Sequence, residues 1–215
     1  IAIGPYWDGN YIGPLFSNTV GVGSIAIGAG ALSNNTTNSY NIAVGLASLN
    51  STTGTNNTAI GVTAGQTLTT GSNNAFLGFA AAPSSVTVSN TITFGNASIT
   101  TLRAQVTSIT ALSDARDKTD VESIPVGLDF INKLNPVTFT WNMRDGGKVG
   151  VKDTGFIAQE LMATEDEAEL AEYLQLTYRD NPDKLEATQG RLIPILVKAI
   201  QELSAKVAEL EAKVI

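Results

Sequence analysis

The stretch "NIAVGLASLNSTTGTNNTAIGVTAG", residues 41–65, contains the same short sentence twice: a β-prone apolar run, a glycine, then a cluster of Asn, Thr, Ser and Gly. The pattern extends in both directions as "SIAIGAGAL", "NAFLGFAAA" and "NTITFGNAS". The marker glycines are Gly28, Gly45, Gly61, Gly78 and Gly95, and subtraction gives steps of 17, 16, 17 and 17 residues. A disordered Gly/Ser/Thr-rich linker has no reason to keep that phase, so the region reads as a strand plus tight turns, repeated. One such unit buries too little to stand alone, and stacking rungs about 4.8 Å apart lets each cover its neighbour. The Asn and Gly positions are expected to supply left-handed corners or stacks of asparagine.

Charge divides the chain. Before Arg103 the only charged residue is Asp8, whereas the remainder is rich in Asp, Glu, Lys and Arg, which places a boundary near residues 103–113. We read residues 1–22 as an aromatic and Gly-rich entry, 23–112 as the β-repeat region and 113–215 as a separate unit, with 193–215 forming a coiled coil. In the entry, Tyr6, Trp7, Tyr11 and Phe16 are expected to cap the first rung; contact with a sugar ring is the alternative use of such faces. The N-x-S/T triplets at Asn50 and Asn96 carry little weight, because an Asn/Thr-rich repeat generates them by chance.

The charged part reads as α+β. "VGLDFINKL" has Leu128, Ile131 and Leu134 at helical spacing, "NPVTFTW" alternates as a strand, "GGKVG" makes a hairpin-like turn, and "TGFIAQELM" is a buried strand or a passage from strand to helix. The acidic "TEDEAELAEYL" is expected to be a solvated helix. At the end Ile193, Leu196, Ile200, Leu203, Val207, Leu210 and Val214 fall three and four apart, the a/d seam of a coiled coil. Lys198, Gln201, Glu202, Ala205 and Glu209 flank it, and aliphatic residues at both a and d are compatible with three strands. Pro194 belongs to the first turn, where its missing N–H costs nothing.

Composition excludes several chemistries. There is no His and no Cys, which removes the usual transition-metal sites, disulfides and His-based nucleophilic catalysis. We expect no cofactor and no metal. The net charge of −7 argues against nucleic acid as a partner, and no apolar stretch reaches membrane-spanning length. A chain starting at Ile1 reads as a fragment of something longer.

The repeats from about Gly23 to Ile99 resemble the head repeats of trimeric autotransporter adhesins and related segments of phage tail fibres, in which three chains build a β-roll or β-prism. A monomeric solenoid is the plainer alternative. Further on, "LSDARDK", "GLDFINKLNPVTFTW", "TGFIAQEL" and "RLIPILVKAIQEL" resemble, in order, the intramolecular chaperone domain of endosialidase type, the peptidase S74 family. That resemblance implies a trimerising C-terminal cap that guides the folding of an upstream viral tail fibre or tail spike and then cuts itself off. Carried over residue by residue, it makes Ser113 the nucleophile, Lys118 its base partner and Leu112–Ser113 the bond cut; Asp114 joins the catalytic set by motif, although it and Arg116 could instead orient the loop.

Such a single-turnover Ser–Lys endopeptidase is chemically reasonable. A serine hydroxyl needs a neighbouring base, and a lysine serves as one where burial lowers an ammonium's pKa from about 10.4. Five residues separate Ser113 from Lys118, a spacing that puts them on different sides of a helix or a strand. A turn, or a lysine from a neighbouring chain, has to join them. The reading therefore predicts a homotrimer on a virion, assembled in the host cytoplasm, with a host-surface carbohydrate or protein as a further partner. The competing reading is a bacterial surface adhesin whose cap stays attached; an enzyme acting on a separate substrate is the weakest, since the neutral part offers no acid/base pair.

Overall fold

A computed structural model describes residues 1–4, 12–105 and 109–214. The chain forms two compact units, residues 1–102 with 143–148, and residues 103–142 with 149–215.

The first unit is a β-solenoid. Strands β1 (Ala2–Ile3), β2 (Ile25–Ile27), β3 (Ile42–Val44), β4 (Thr58–Ile60), β5 (Ala75–Leu77) and β6 (Ile92–Phe94) form one parallel sheet in chain order. Each strand pairs with its counterpart one repeat away, Ala43 with Ala59 and Ala59 with Phe76, for example. Side chains alternate across a strand, so the central residue of each of β2 to β5, Ala26, Ala43, Ala59 and Phe76, is buried inside the stack. The flanking residues point outward in two rows: Ile25, Ile42, Thr58, Ala75 and Ile92 in one, Ile27, Val44, Ile60, Leu77 and Phe94 in the other. Leu32, Leu49 and Leu68 complete the core from the turns. Those turns stack as well, Leu32 N–H on Ser48 O and Leu49 N–H on Ala64 O.

The marker glycine is required by close approach. Gly45 and Gly61 have φ of +134° and +139°, and a methyl group on Gly61 would lie 2.3 Å from the Gly78 carbonyl oxygen of the next rung.

Both roles expected of asparagine are present. Asn56, Asn73 and Asn90 occupy left-handed corners with φ near +60°. Asn41, Asn57 and Asn74 form a buried ladder. Asn57 Oδ1 accepts from the Asn74 backbone N–H (3.1 Å) and Nδ2 (3.0 Å), while Asn57 Nδ2 donates to Gly71 O (2.9 Å). Ser24 begins the ladder and Thr91 ends it.

The first turn is longer than the others. Ala2 pairs with Ala26, an offset of 24, whereas Leu15 N–H reaches Ala31 O in the ordinary frame. Leu15 packs on the solenoid core and Phe16 is half exposed. Tyr6, Trp7 and Tyr11 lie outside the described residues.

The second unit has α1 (Leu128–Ile131), an antiparallel hairpin of β7 (Val137–Asn142) and β8 (Val149–Gly155), α2 (Ala158–Glu167), α3 (Ala171–Leu174), a short antiparallel pair β9 (Thr177–Tyr178) and β10 (Glu186–Ala187), and α4 (Leu192–Val214). Its core is Phe130, Leu174, Leu176, Leu192 and Ile195.

One reading is decided between its two alternatives, and one expectation needs correction. "TGFIAQELM" is a passage from strand to helix, and the strand it leaves is exposed rather than buried. The acidic segment is not one solvated helix. It breaks at Glu169, whose φ is +55°, and Glu165 is fully buried. Glu165 accepts from Leu176 N–H, from Thr177 Oγ1 (2.6 Å) and from Arg179 Nη2 (3.0 Å), which is what makes burial of a carboxylate tolerable.

Helix α4 has two apolar faces. Leu192, Ile195 and Ala199 are buried in the unit's own core, whereas the seam from Ile193 to Val214 is 42–87% exposed. The helix itself is as the spacing predicts. Among the described residues no helix is long and apolar enough to cross a membrane.

Candidate functional site

Residues 109–112, leading to Ser113, belong to no helix or strand and are exposed, Leu112 fully so. Immediately after Ser113 the chain tightens into a 3-10 turn over Ala115–Asp117. Asp114 closes it: Oδ1 accepts from the Arg116 backbone N–H (2.9 Å) and Nε (3.0 Å), and Oδ2 accepts from Nη2 (2.6 Å). A carboxylate just before a turn satisfies N–H groups that the turn cannot pair internally. Asp117 N–H bonds Asp114 O and Lys118 N–H bonds Ala115 O, which fixes the exit of the turn.

The consequence is that Lys118 Nζ lies 2.6 Å from Ser113 Oγ and 3.4 Å from the Ser113 carbonyl oxygen, all within one chain. Neither a regular helix nor a regular strand would close five residues this way; the turn does. Ser113 and Lys118 are both exposed.

Asp114 is not brought to either of them. Its carboxylate is spent on Arg116, whose guanidinium and backbone N–H hold it below the usual carboxylate range, and the same contact raises Arg116. The geometry makes this pair a clasp on the turn that presents Ser113 and Lys118.

One contact in this unit carries more than the sequence indicated. Glu202, read as a coiled-coil flank, accepts a hydrogen bond from Leu128 N–H (2.8 Å) and so caps α1 from the middle of α4. Gly127 has no side chain to do this, and a methyl group there would lie 2.5 Å from the Glu202 carboxylate. A four-residue helix preceded by glycine is the signal that an outside acceptor is needed. Among the described residues, no group of three or more acidic side chains is arranged to hold a metal ion.

A hydroxyl next to its own preceding carbonyl, with an amine at hydrogen-bond distance, can carry out an N-to-O acyl shift. Residues 113–170 match the family model described as chaperone of endosialidase, Peptidase_S74. That range begins at Ser113 and holds the 3-10 turn, α1, the β7–β8 hairpin and α2. The "RLIPILVKAIQEL" motif lies beyond it. No curated protein and no solved structure matches the chain.

Proposed function

We propose that this chain is the C-terminal part of a viral tail fibre or tail spike, in which the unit from Ser113 onward trimerises and folds the β-solenoid and then cuts the Leu112–Ser113 bond. The observation that carries the reading is the 2.6 Å contact between Lys118 Nζ and Ser113 Oγ, at the first residue of the segment matching the chaperone family, on a chain whose other unit is a solenoid.

The reaction balances with the groups present and one water. Lys118, as the free amine, takes the proton of Ser113 Oγ as that oxygen attacks the Leu112 carbonyl carbon. The C–N bond breaks, the Ser113 nitrogen takes up the proton, and Leu112 is held as an ester on Ser113. Water then opens the ester, leaving a carboxylate on Leu112 and a free α-amine on Ser113. An amine accepts a proton only when neutral, and exclusion of water favours that form. In the single chain the turn is exposed, so assembly that covers it would promote the cut.

The exposed apolar seam of α4 supports a homotrimer. Alignment from one end is useful, because rungs this similar can pair out of register, and removal of the cap afterwards would make unfolding effectively one-way.

The test is the mass of the fragments after expression. Wild type should yield residues 1–112 and 113–215; Ser113→Ala should stay whole while still assembling, and Lys118→Ala should cleave at least about a hundredfold more slowly, as loss of a general base does. A cut at another bond, or undiminished cleavage in Ser113→Ala, would sink the assignment. A wild type that assembles and never cleaves would instead support a surface adhesin with a retained cap.

A further inference from the structure

We infer that the chain from Asn96 to Leu112 is one further rung of the solenoid, unwound while the chain is intact, and that cutting the Leu112–Ser113 bond lets residues 109–111 pair onto the open edge of β6; this rests on the cleavage reading above. Repeat phase carries the inference. Subtracting 95 from 112 gives 17, the step between most of the marker glycines. The stretch that ends there, "ITAL" at 109–112, stands in the same frame as "IAIG" at 25–28, "IAVG" at 42–45 and "ITFG" at 92–95. The scissile bond therefore falls one repeat beyond the last marker glycine, with leucine in the glycine position.

The interior positions keep the same phase. Leu32 and Leu49 come four residues after their marker glycines and Leu68 comes seven after Gly61, and all three lie in the solenoid core. Ile99 and Leu102 come four and seven residues after Gly95, yet they are 57% and 73% exposed. Apolar side chains set to the interior pattern of a repeat and left in water mark a rung that has not closed on its neighbour.

The chain leaves the solenoid frame at Gly95. Gly28, Gly45, Gly61 and Gly78 have φ between +114° and +139°, whereas Gly95 has +69°. Residues 109–112 belong to no strand, and the sheet ends at β6. Thr93, at the centre of β6, is half-buried, where Ala26, Ala43, Ala59 and Phe76 are fully buried. A terminal strand presents a row of backbone donors and acceptors, and repeat folds need a cover at their ends.

Phase also selects what covers it. Each marker N–H donates to the last residue of the preceding strand: Gly61 to Val44 O, Gly78 to Ile60 O and Gly95 to Leu77 O, at 2.7–2.8 Å. Next in that series is Leu112 N–H on Phe94 O, with Ile109, Thr110 and Ala111 opposite Ile92, Thr93 and Phe94. The exit from the strand explains why closure waits. β2 to β5 each leave their rung through a glycine in a conformation that residues with a Cβ rarely adopt. Leu112 is no such hinge, and Asp114 already caps the 3-10 turn two residues later. Once the bond is cut the chain ends at Leu112, and no corner has to be turned.

The chain has no cysteine, so a designed pair reports this contact alone. We would introduce Thr93→Cys with Thr110→Cys in the full chain, once with Ser113 intact and once with Ser113→Ala, then oxidise mildly, alkylate and measure masses. Adjacent rungs lie about 4.8 Å apart, within the Cα separation that a disulfide spans. The 1–112 fragment should carry an internal 93–110 disulfide in at least about tenfold higher yield than the uncut chain, because paired strands hold the thiols at high effective concentration. With no cysteine introduced, the Leu112 amide should exchange its hydrogen at least about tenfold more slowly in the cut fragment than in the Ser113→Ala chain. A cut fragment with free thiols and an unprotected Leu112 amide would overturn the rung and leave cleavage standing. Equal yield and protection in the uncut chain would overturn release by cutting, and a disulfide between chains would give the edge to a second copy instead. No cut at all, visible in the same spectra, would overturn both readings.

Discussion

Asn41, Asn57 and Asn74 lie inside the solenoid and hand each amide to the next rung, whereas Glu165 lies inside the second unit and depends on Arg179, Thr177 and one backbone N–H. Both are buried polar side chains with their hydrogen bonds made. The asparagine is neutral and its partner is a copy of itself, so the arrangement can be repeated at every rung without importing a new residue type. The carboxylate needs a specific cation from another element. A repetitive fold can satisfy its interior by repetition, while a fold with one core concentrates the same task in a single cluster.

The largest effect should come from that cluster. Glu165→Ala leaves Arg179 and the Leu176 N–H without their acceptor, and removing one partner of a buried pair typically costs about 3–5 kcal/mol. Arg179 is 34% exposed and also bonds Asp166, so the lower end is expected. Asn57→Ala, which removes one ladder amide, should cost about 1–3 kcal/mol. Denaturant midpoints for the two units, followed by tryptophan or cross-linking probes, would rank them. A Glu165→Ala cost equal to or below that of Asn57→Ala would break the comparison.

Next in size is a backbone effect confined to the solenoid. A methyl group on Gly54 would lie 1.7 Å from the Gly71 carbonyl oxygen of the next rung, so Gly54→Ala must force rungs apart. We expect a loss of about 2–3 kcal/mol, the range of overpacking in a dense interior. Gly146, between β7 and β8, has φ of +73° but nothing within 4 Å of an added methyl group, and Gly146→Ala should cost about 1 kcal/mol. Equal costs would mean that rung spacing in the solenoid relaxes freely.

The same contrast governs what the sequence made legible. The glycine phase was readable because each rung must reproduce the close approach seen at Gly61, and the α4 seam was readable because its spacing is periodic. Glu165 was not: "TEDEAELAEYL" is acidic throughout, and the arginine that pairs with one of those carboxylates comes fourteen residues later, just past β9. Nor was the inner face of α4, since Leu192, Ile195 and Ala199 are offset by one or more positions from the stronger outer seam. At the site, the residue types and their order were legible from the motif. The 2.6 Å contact was not, because it depends on a turn closed by Asp114 and Arg116, and a spacing of five gives no sign of that.

The smallest effect concerns that clasp, and it sharpens the contrast between charged and neutral hydrogen bonding. Arg116 and Asp114 are exposed, and exposed pairs are weak, so Asp114→Asn should slow cleavage by no more than about tenfold. The pH behaviour has a definite sign. Hydrogen bonds from Arg116 depress the Asp114 carboxyl below its ordinary value of about 3.9. A group depressed in the folded state contributes fully above its unfolded value and loses that contribution as pH falls through the folded one. Between pH 5 and 8 the clasp is therefore complete, and Asp114→Asn should shift the level of cleavage without changing its profile there. On lowering pH, the Arg116 Nε–H resonance in the Ser113→Ala chain should move with a midpoint below about 3.9, while the Asn57 side-chain amide, which has nothing to titrate, stays in place until the solenoid itself unfolds. An Arg116 midpoint at or above the ordinary carboxylate value would remove the clasp from the account of how Ser113 and Lys118 meet.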